Sequence, residues 1–101
     1  MNKKYQTFTD FYPFYLSQHQ HSICRRLHFI GSSAILALFV FILFTAQIQL
    51  LAVVPILGYG FAWLGHFVFE KNKPATFTYP FYSLLGDWVM FKDMITGKIK
   101  W

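Results

Sequence analysis

Charge is scarce in this 101-residue chain. Charged residues make up 13% of it, about half of the roughly 25% usual in soluble domains. Only four residues are acidic, and the 43 positions from Leu27 to Phe69 contain no Asp, Glu, Lys or Arg at all. A run of that kind excludes an ordinary surface helix, which keeps one polar face toward water. The single cysteine, Cys24, excludes an intramolecular disulfide framework and a paired-cysteine metal site. No internal repeat or low-complexity segment is present. No apolar run begins near Met1 behind a short basic head with a small-residue cleavage site, so a signal peptide is not expected. The nine basic residues flank the apolar run and form no dense patch, which argues against nucleic acid as a partner.

What is present points to lipid. The composition is 55% hydrophobic and 22% aromatic, more than a soluble chain of this size can bury. A bilayer core needs about 20 apolar residues per helix, so the uncharged run suffices for two crossings. We place them at about residues 29–46 (FIGSSAILALFVFILFTA) and 48–69 (IQLLAVVPILGYGFAWLGHFVF), joined by a link short enough for an antiparallel hairpin. Lys3, Lys4, Arg25 and Arg26 precede the first span, and Lys71, Lys73, Lys92, Lys98 and Lys100 follow the second. By the positive-inside rule both termini are then cytoplasmic, in a bacterial inner membrane or, for a eukaryotic chain, the endoplasmic reticulum. Two shorter helices, interfacial or re-entrant, are expected at about residues 10–19 and 80–96. In the first, Asp10 is the expected cap and Pro13 falls in the first turn. In the second, Pro80 suits an early position and Gly97 the end. The fold class is all-α: an integral membrane hairpin plus two shorter helices, in a single domain, 1–101. Pro55, Gly58 and Gly60 suggest a kink or a close helix contact in the second span. Gly58, Gly60 and Gly65 suit packing against a helix of the same chain or of a partner chain, which leaves a homo-oligomer open.

Ionisable groups inside such a segment are costly and therefore candidates for function. His28 lies as far before Gln47 as His66 lies after it, so a hairpin turning at Gln47 brings both to one depth at its cytoplasmic end. Glu70 follows His66 by four and shares its helix face, which suits a chelating pair. His19 is nine residues from His28, on the opposite face of any continuous helix. The two meet only if the chain breaks between them, and Ser22, read as an N-cap, supplies the break. His21 reads as an exposed residue and Cys24 as packing. Arg25 and Arg26 are placed to attract a substrate carboxylate.

The segments YLSQHQHSICRRLHFIGS and GYGFAWLGHFVFEKNKPATFTYPFYSLLGDWVMF resemble the Mpo1-like family over nearly the whole chain. The marks are His19 and His28 nine apart with an Ile-Gly after the second, GH-x3-E-x-N-x-P-A, and the SL-x-GD block. Relatives often carry Asn-Pro-Thr-Asn between the first two histidines, where this chain has His21 to Cys24. The resemblance implies a membrane dioxygenase dependent on Fe(2+), which shortens 2-hydroxy fatty acids by one carbon with O2. It implies that His19, His28 and His66 hold the metal and that Glu70 completes the coordination or holds a ligand. Asn72 and Asp87 would orient the imidazoles. Two other readings stand beside it: a haem held by His28 and His66 for electron transfer, and a small membrane protein without catalysis.

Overall fold

The computed structural model describes residues 4–101; Lys3, counted above among the flanking charges, lies outside the described residues. Among the described residues there are four α-helices, α1 (Phe8–Ser17), α2 (Ser22–Thr45), α3 (Val53–Leu64) and α4 (Pro80–Ile95), and no strand. A 3-10 turn, Ile48–Ala52, leads into α3, a π-helical turn, Gly65–Glu70, prolongs it, and a second 3-10 turn, Ala75–Phe77, precedes α4. The all-α fold expected from the sequence is therefore what forms.

The hairpin of α2 and α3 reverses at Ala46, which takes a left-handed φ of 56° while its N–H donates to the Ile42 carbonyl at 2.7 Å. Two glycines let its legs approach closely. A Cβ on Gly31 would lie 3.1 Å from Phe61 Cβ, and one on Gly58 would lie 3.3 Å from Ile35 Cδ1. The glycines at 31 and 58 thus pack within the chain's own hairpin, whereas a Cβ on Gly60 would meet nothing within 4 Å. Ser22–Thr45 and Ile48–Glu70 are both long and apolar enough to cross a membrane. Their tips turn large apolar side chains outward: Leu43 is 82% exposed, Phe44 86% and Ile48 70%. The core helix of a soluble domain does the opposite.

Outside the hairpin, α1 lies on α4 through an aromatic layer of Phe11, Tyr15 and Tyr79 with Met90 and Met94. The Tyr12 hydroxyl donates to Asp93 Oδ2 at 2.8 Å and that of Tyr82 to the Gln6 carbonyl at 2.9 Å. Gly86 makes the close approach possible, since a Cβ there would meet the Tyr15 ring at 3.0 Å. Two caps differ from expectation. Thr7, whose hydroxyl accepts from the Asp10 N–H at 3.2 Å, caps α1, so Asp10 falls in the first turn and Pro13 in the helix interior. His21, not Ser22, caps α2, with Nδ1 accepting from the Ile23 N–H at 3.2 Å. An imidazole Nδ1 at the N-cap accepts from an orphan helix donor as a serine hydroxyl would.

Candidate metal centre

Three imidazoles meet where α1, α2 and the π-helical turn converge. α1 ends at Ser17 and α2 begins at Ser22, so the chain does break between His19 and His28. The break lets His19 fold back over the hairpin. His28 sits in the second turn of α2, and His66 occupies the second position of the π-helical turn. The wider π turn shifts the side chains that follow it relative to an α-helix, a device frequent at functional sites. All three histidines are buried, at 2%, 6% and 2% exposure in chain order. Their ring centroids are 4.5, 4.4 and 5.0 Å apart.

The outer nitrogen of each ring is committed. His19 Nδ1 lies 2.6 Å from the Tyr15 carbonyl and His28 Nδ1 lies 2.8 Å from the Cys24 carbonyl. A carbonyl only accepts, so both Nδ1 atoms carry the proton. His66 Nδ1 lies 2.8 Å from Asn72 Oδ1, while the Asn72 amide donates to the Gln18 carbonyl at 3.2 Å and to Gln18 Oε1 at 3.1 Å. Each Nε2 is left as a bare lone pair. Those of His19 and His28 stand 3.2 Å apart. With no proton between them they repel, and a shared cation at the usual metal–imidazole distance of about 2.0–2.1 Å relieves that. Burial, and next the neighbouring His28 and His66, hold the His19 pKa well below 6.5, in the neutral form that ligates metals. The donor set therefore fits a metal such as iron or zinc.

Cys24 joins this group: one ligand atom each from His19, Cys24, His28 and His66 lie within 4.8 Å of one another. Its Sγ stands 3.8 Å from His28 Nδ1, the nitrogen already bonded to a carbonyl. Sγ also fills the space a Cβ on Gly65 would need, at 2.9 Å. The thiol thus packs behind His28, against the π-helical turn.

The other residues singled out in the sequence lie around this centre. The Glu70 carboxylate accepts from the His21 backbone N–H and is outside the four-residue group; it closes the linker onto the hairpin. Asp87 accepts from the Tyr15 hydroxyl, and Tyr15 stacks on His19 with centroids 4.0 Å apart. Burial raises the Asp87 carboxyl to about 7, against a smaller lowering by that hydrogen bond. Arg25 donates to the carbonyls of His19 at 3.0 Å and Gln20 at 2.7 Å, and Arg26 lies over the Trp101 ring, 5.3 Å from its centroid. Neither arginine lines the cavity beside the histidines. Tyr15 and Gln18, which the sequence did not mark, hold His19 and Asn72 in place.

That cavity, of about 220 Å³, is lined in part by His19, His28 and His66. Its other walls include Ser32, Ile35, Val54, Gly58, Leu84 and Trp88 of α2, α3 and α4. Side chains able to hold a cation thus share a cavity with apolar ones.

Fold and site together define a small helical-hairpin protein with a buried group of three histidines and a cysteine close enough to hold a metal, beside a largely apolar cavity. The chain belongs to the Mpo1-like family: the model of that family, described as 2-hydroxy-palmitic acid dioxygenase Mpo1-like, matches residues 5–99. No curated protein and no solved structure matches the chain. The family's sequence blocks now have physical content. In GHFVFEKNKPA, Gly65 admits Cys24, His66 faces the cage, Glu70 ties the linker and Asn72 holds His66. In SLLGD, Gly86 admits the Tyr15 ring and Asp87 takes its hydroxyl.

Proposed function

We propose that the chain is an Fe(2+)-dependent dioxygenase of the membrane that shortens 2-hydroxy fatty acids by one carbon with O2. The observation that carries this reading is three buried imidazoles, each with Nδ1 engaged, gathered closely enough to share a cation on the wall of a largely apolar cavity. The family description supports the substrate class. The outward-facing apolar surface of the two long helices supports residence in lipid, and the basic flanks support cytoplasmic termini.

In this reading His19, His28 and His66 hold the ion, and the carbonyls of Tyr15 and Cys24 and the Asn72 amide keep each ring in the ligating tautomer. Ferrous iron supplies, when bound, the one-electron chemistry that allows O2 to react with an organic acid. The cavity wall of Ile35, Val54, Leu84 and Trp88 receives the acyl tail and excludes water from the histidine end. Asp87 and Tyr15 brace His19 from behind. Glu70 acts by position, holding the linker that carries His19.

A haem between His28 and His66 fits poorly, because the His19 ring, 4.5 and 4.4 Å from theirs, takes the space a macrocycle needs. Measuring iron content and 2-hydroxypalmitate consumption on one preparation tests the proposal. About one iron per chain is expected, with oxygen-dependent loss of substrate, and His66→Ala is expected to remove both. Wild-type protein that binds no iron and consumes no 2-hydroxy fatty acid refutes the reading; metal-bearing but inert protein favours a non-catalytic role.

A further inference from the structure

Two polar groups on the cavity wall lack a partner. The Ser83 hydroxyl and the Trp63 indole Nε1–H are both buried and make no hydrogen bond. Both residues line the cavity that the three histidines close. They come from different walls: Trp63 lies on α3, three residues before His66, and Ser83 lies on α4 on the face that carries Pro80, Leu84 and Asp87. A helical serine commonly satisfies its hydroxyl on the carbonyl one turn back, and Ser83 does not.

Buried polar groups in folded proteins are nearly always paired, so each exception calls for an explanation. An indole N–H can only donate, so its missing partner is an acceptor. A group that takes hydrogen bonds from donors on two different helices, in a cavity shared with the three histidines and with apolar side chains, has the chemistry of a carboxylate heading an acyl chain. The arginines do not line the cavity: Arg25 donates to the His19 and Gln20 carbonyls and Arg26 to the Trp101 carbonyl.

We propose that Ser83 Oγ–H and Trp63 Nε1–H receive the carboxylate of the acyl substrate and so select acids over the corresponding alcohols. The inference rests on the reading of this cavity as an acyl-acid site. It explains why a serine and an indole stand unpaired in the cavity wall, and it places acid recognition on residues outside the group that could hold the metal.

The test compares binding of 2-hydroxypalmitic acid and hexadecane-1,2-diol, which has the same tail and 2-hydroxyl but no carboxylate. Wild type, Ser83→Ala and Trp63→Phe are titrated calorimetrically, with metal content measured on each. Loss of one hydrogen bond to a charged group is expected to weaken acid binding about tenfold in each variant. Diol binding should change less than twofold, and metal content should not change. Equal losses for acid and diol overturn the proposal in favour of simple packing, as does acid binding within twofold of wild type in both variants. Trp63→Phe keeps an aromatic ring and carries the test if Ser83→Ala does not fold. Wild type that binds acid but consumes none refutes the dioxygenase reading and leaves this one standing. Wild type that consumes the acid while both variants keep its affinity refutes this one alone.

Discussion

Replacing Asn72 by alanine removes the side chain that holds His66 Nδ1, and it does so without altering any of the three histidines. Its Oδ1 lies 2.8 Å from that nitrogen, and its amide donates to the carbonyl and Oε1 of Gln18 at 3.2 and 3.1 Å. Gln18 immediately precedes His19, so one amide steadies two of the three imidazoles. Loss of an outer partner of this kind typically lowers metal affinity 10- to 100-fold, or about 1.4–2.7 kcal/mol. With two rings released, Asn72→Ala should fall near the upper end, about 100-fold. Asn72→Asp keeps an acceptor for His66 and loses the donors to Gln18, so its loss should be about tenfold or less. Competition between the protein and a ferrous chelator of known affinity measures both. An alanine variant within twofold of wild type, or two variants equally impaired, would refute the assignment of Asn72 as the residue that orients His66.

Three further outcomes are expected. Gly65→Ala puts a Cβ 2.9 Å from Cys24 Sγ and 3.1 Å from Cys24 Cα; the backbone atom cannot yield, so the variant should lose about 1–3 kcal/mol of stability and bind metal more weakly. Unchanged thermal unfolding and metal titration would contradict the packing described. Ala46→Gly relieves a left-handed φ of 56° and should raise stability by up to about 1 kcal/mol, read from denaturation in mild detergent; a destabilised variant argues against that turn. For Asp87, the folded pKa is raised from 3.8 to about 7, so the native state binds more protons than the unfolded one between those values. The stability of wild type relative to Asp87→Asn should therefore fall as pH rises from 4 to 7, by at most about 4 kcal/mol, and level off above. A difference independent of pH shows that Asp87 is not buried as described.

Much of the site could be read from spacing. The equal distances of His28 and His66 from Gln47 hold because the hairpin reverses at Ala46 with no long loop, and the break between His19 and His28 follows from their opposite helix faces. What stayed hidden depends on close approach between distant segments. Nothing near Gly86 in the sequence announces the Tyr15 ring, and nothing near Gly65 announces the Cys24 thiol. The π-helical turn at His66 has no compositional mark. Arg25 turned out to satisfy carbonyls of the linker it follows, a local choice that charge counting cannot see. The caps shifted by one residue at Ser22 and by three at Asp10, because several nearby side chains can reach the same orphan N–H groups.

The attachment of α1 to α4 has a consequence for how the molecule responds to its surroundings. His28 and His66 belong to the hairpin, which lipid would keep assembled, whereas His19 hangs from a short helix docked by aromatic rings. An ion held by all three would act as a clasp between the two parts, and its binding energy would become docking energy for the N-terminal segment. On the proposed reading, chelation should then unfasten α1 first and expose its amides to hydrogen exchange well before the hairpin opens, making that segment a reporter of metal supply.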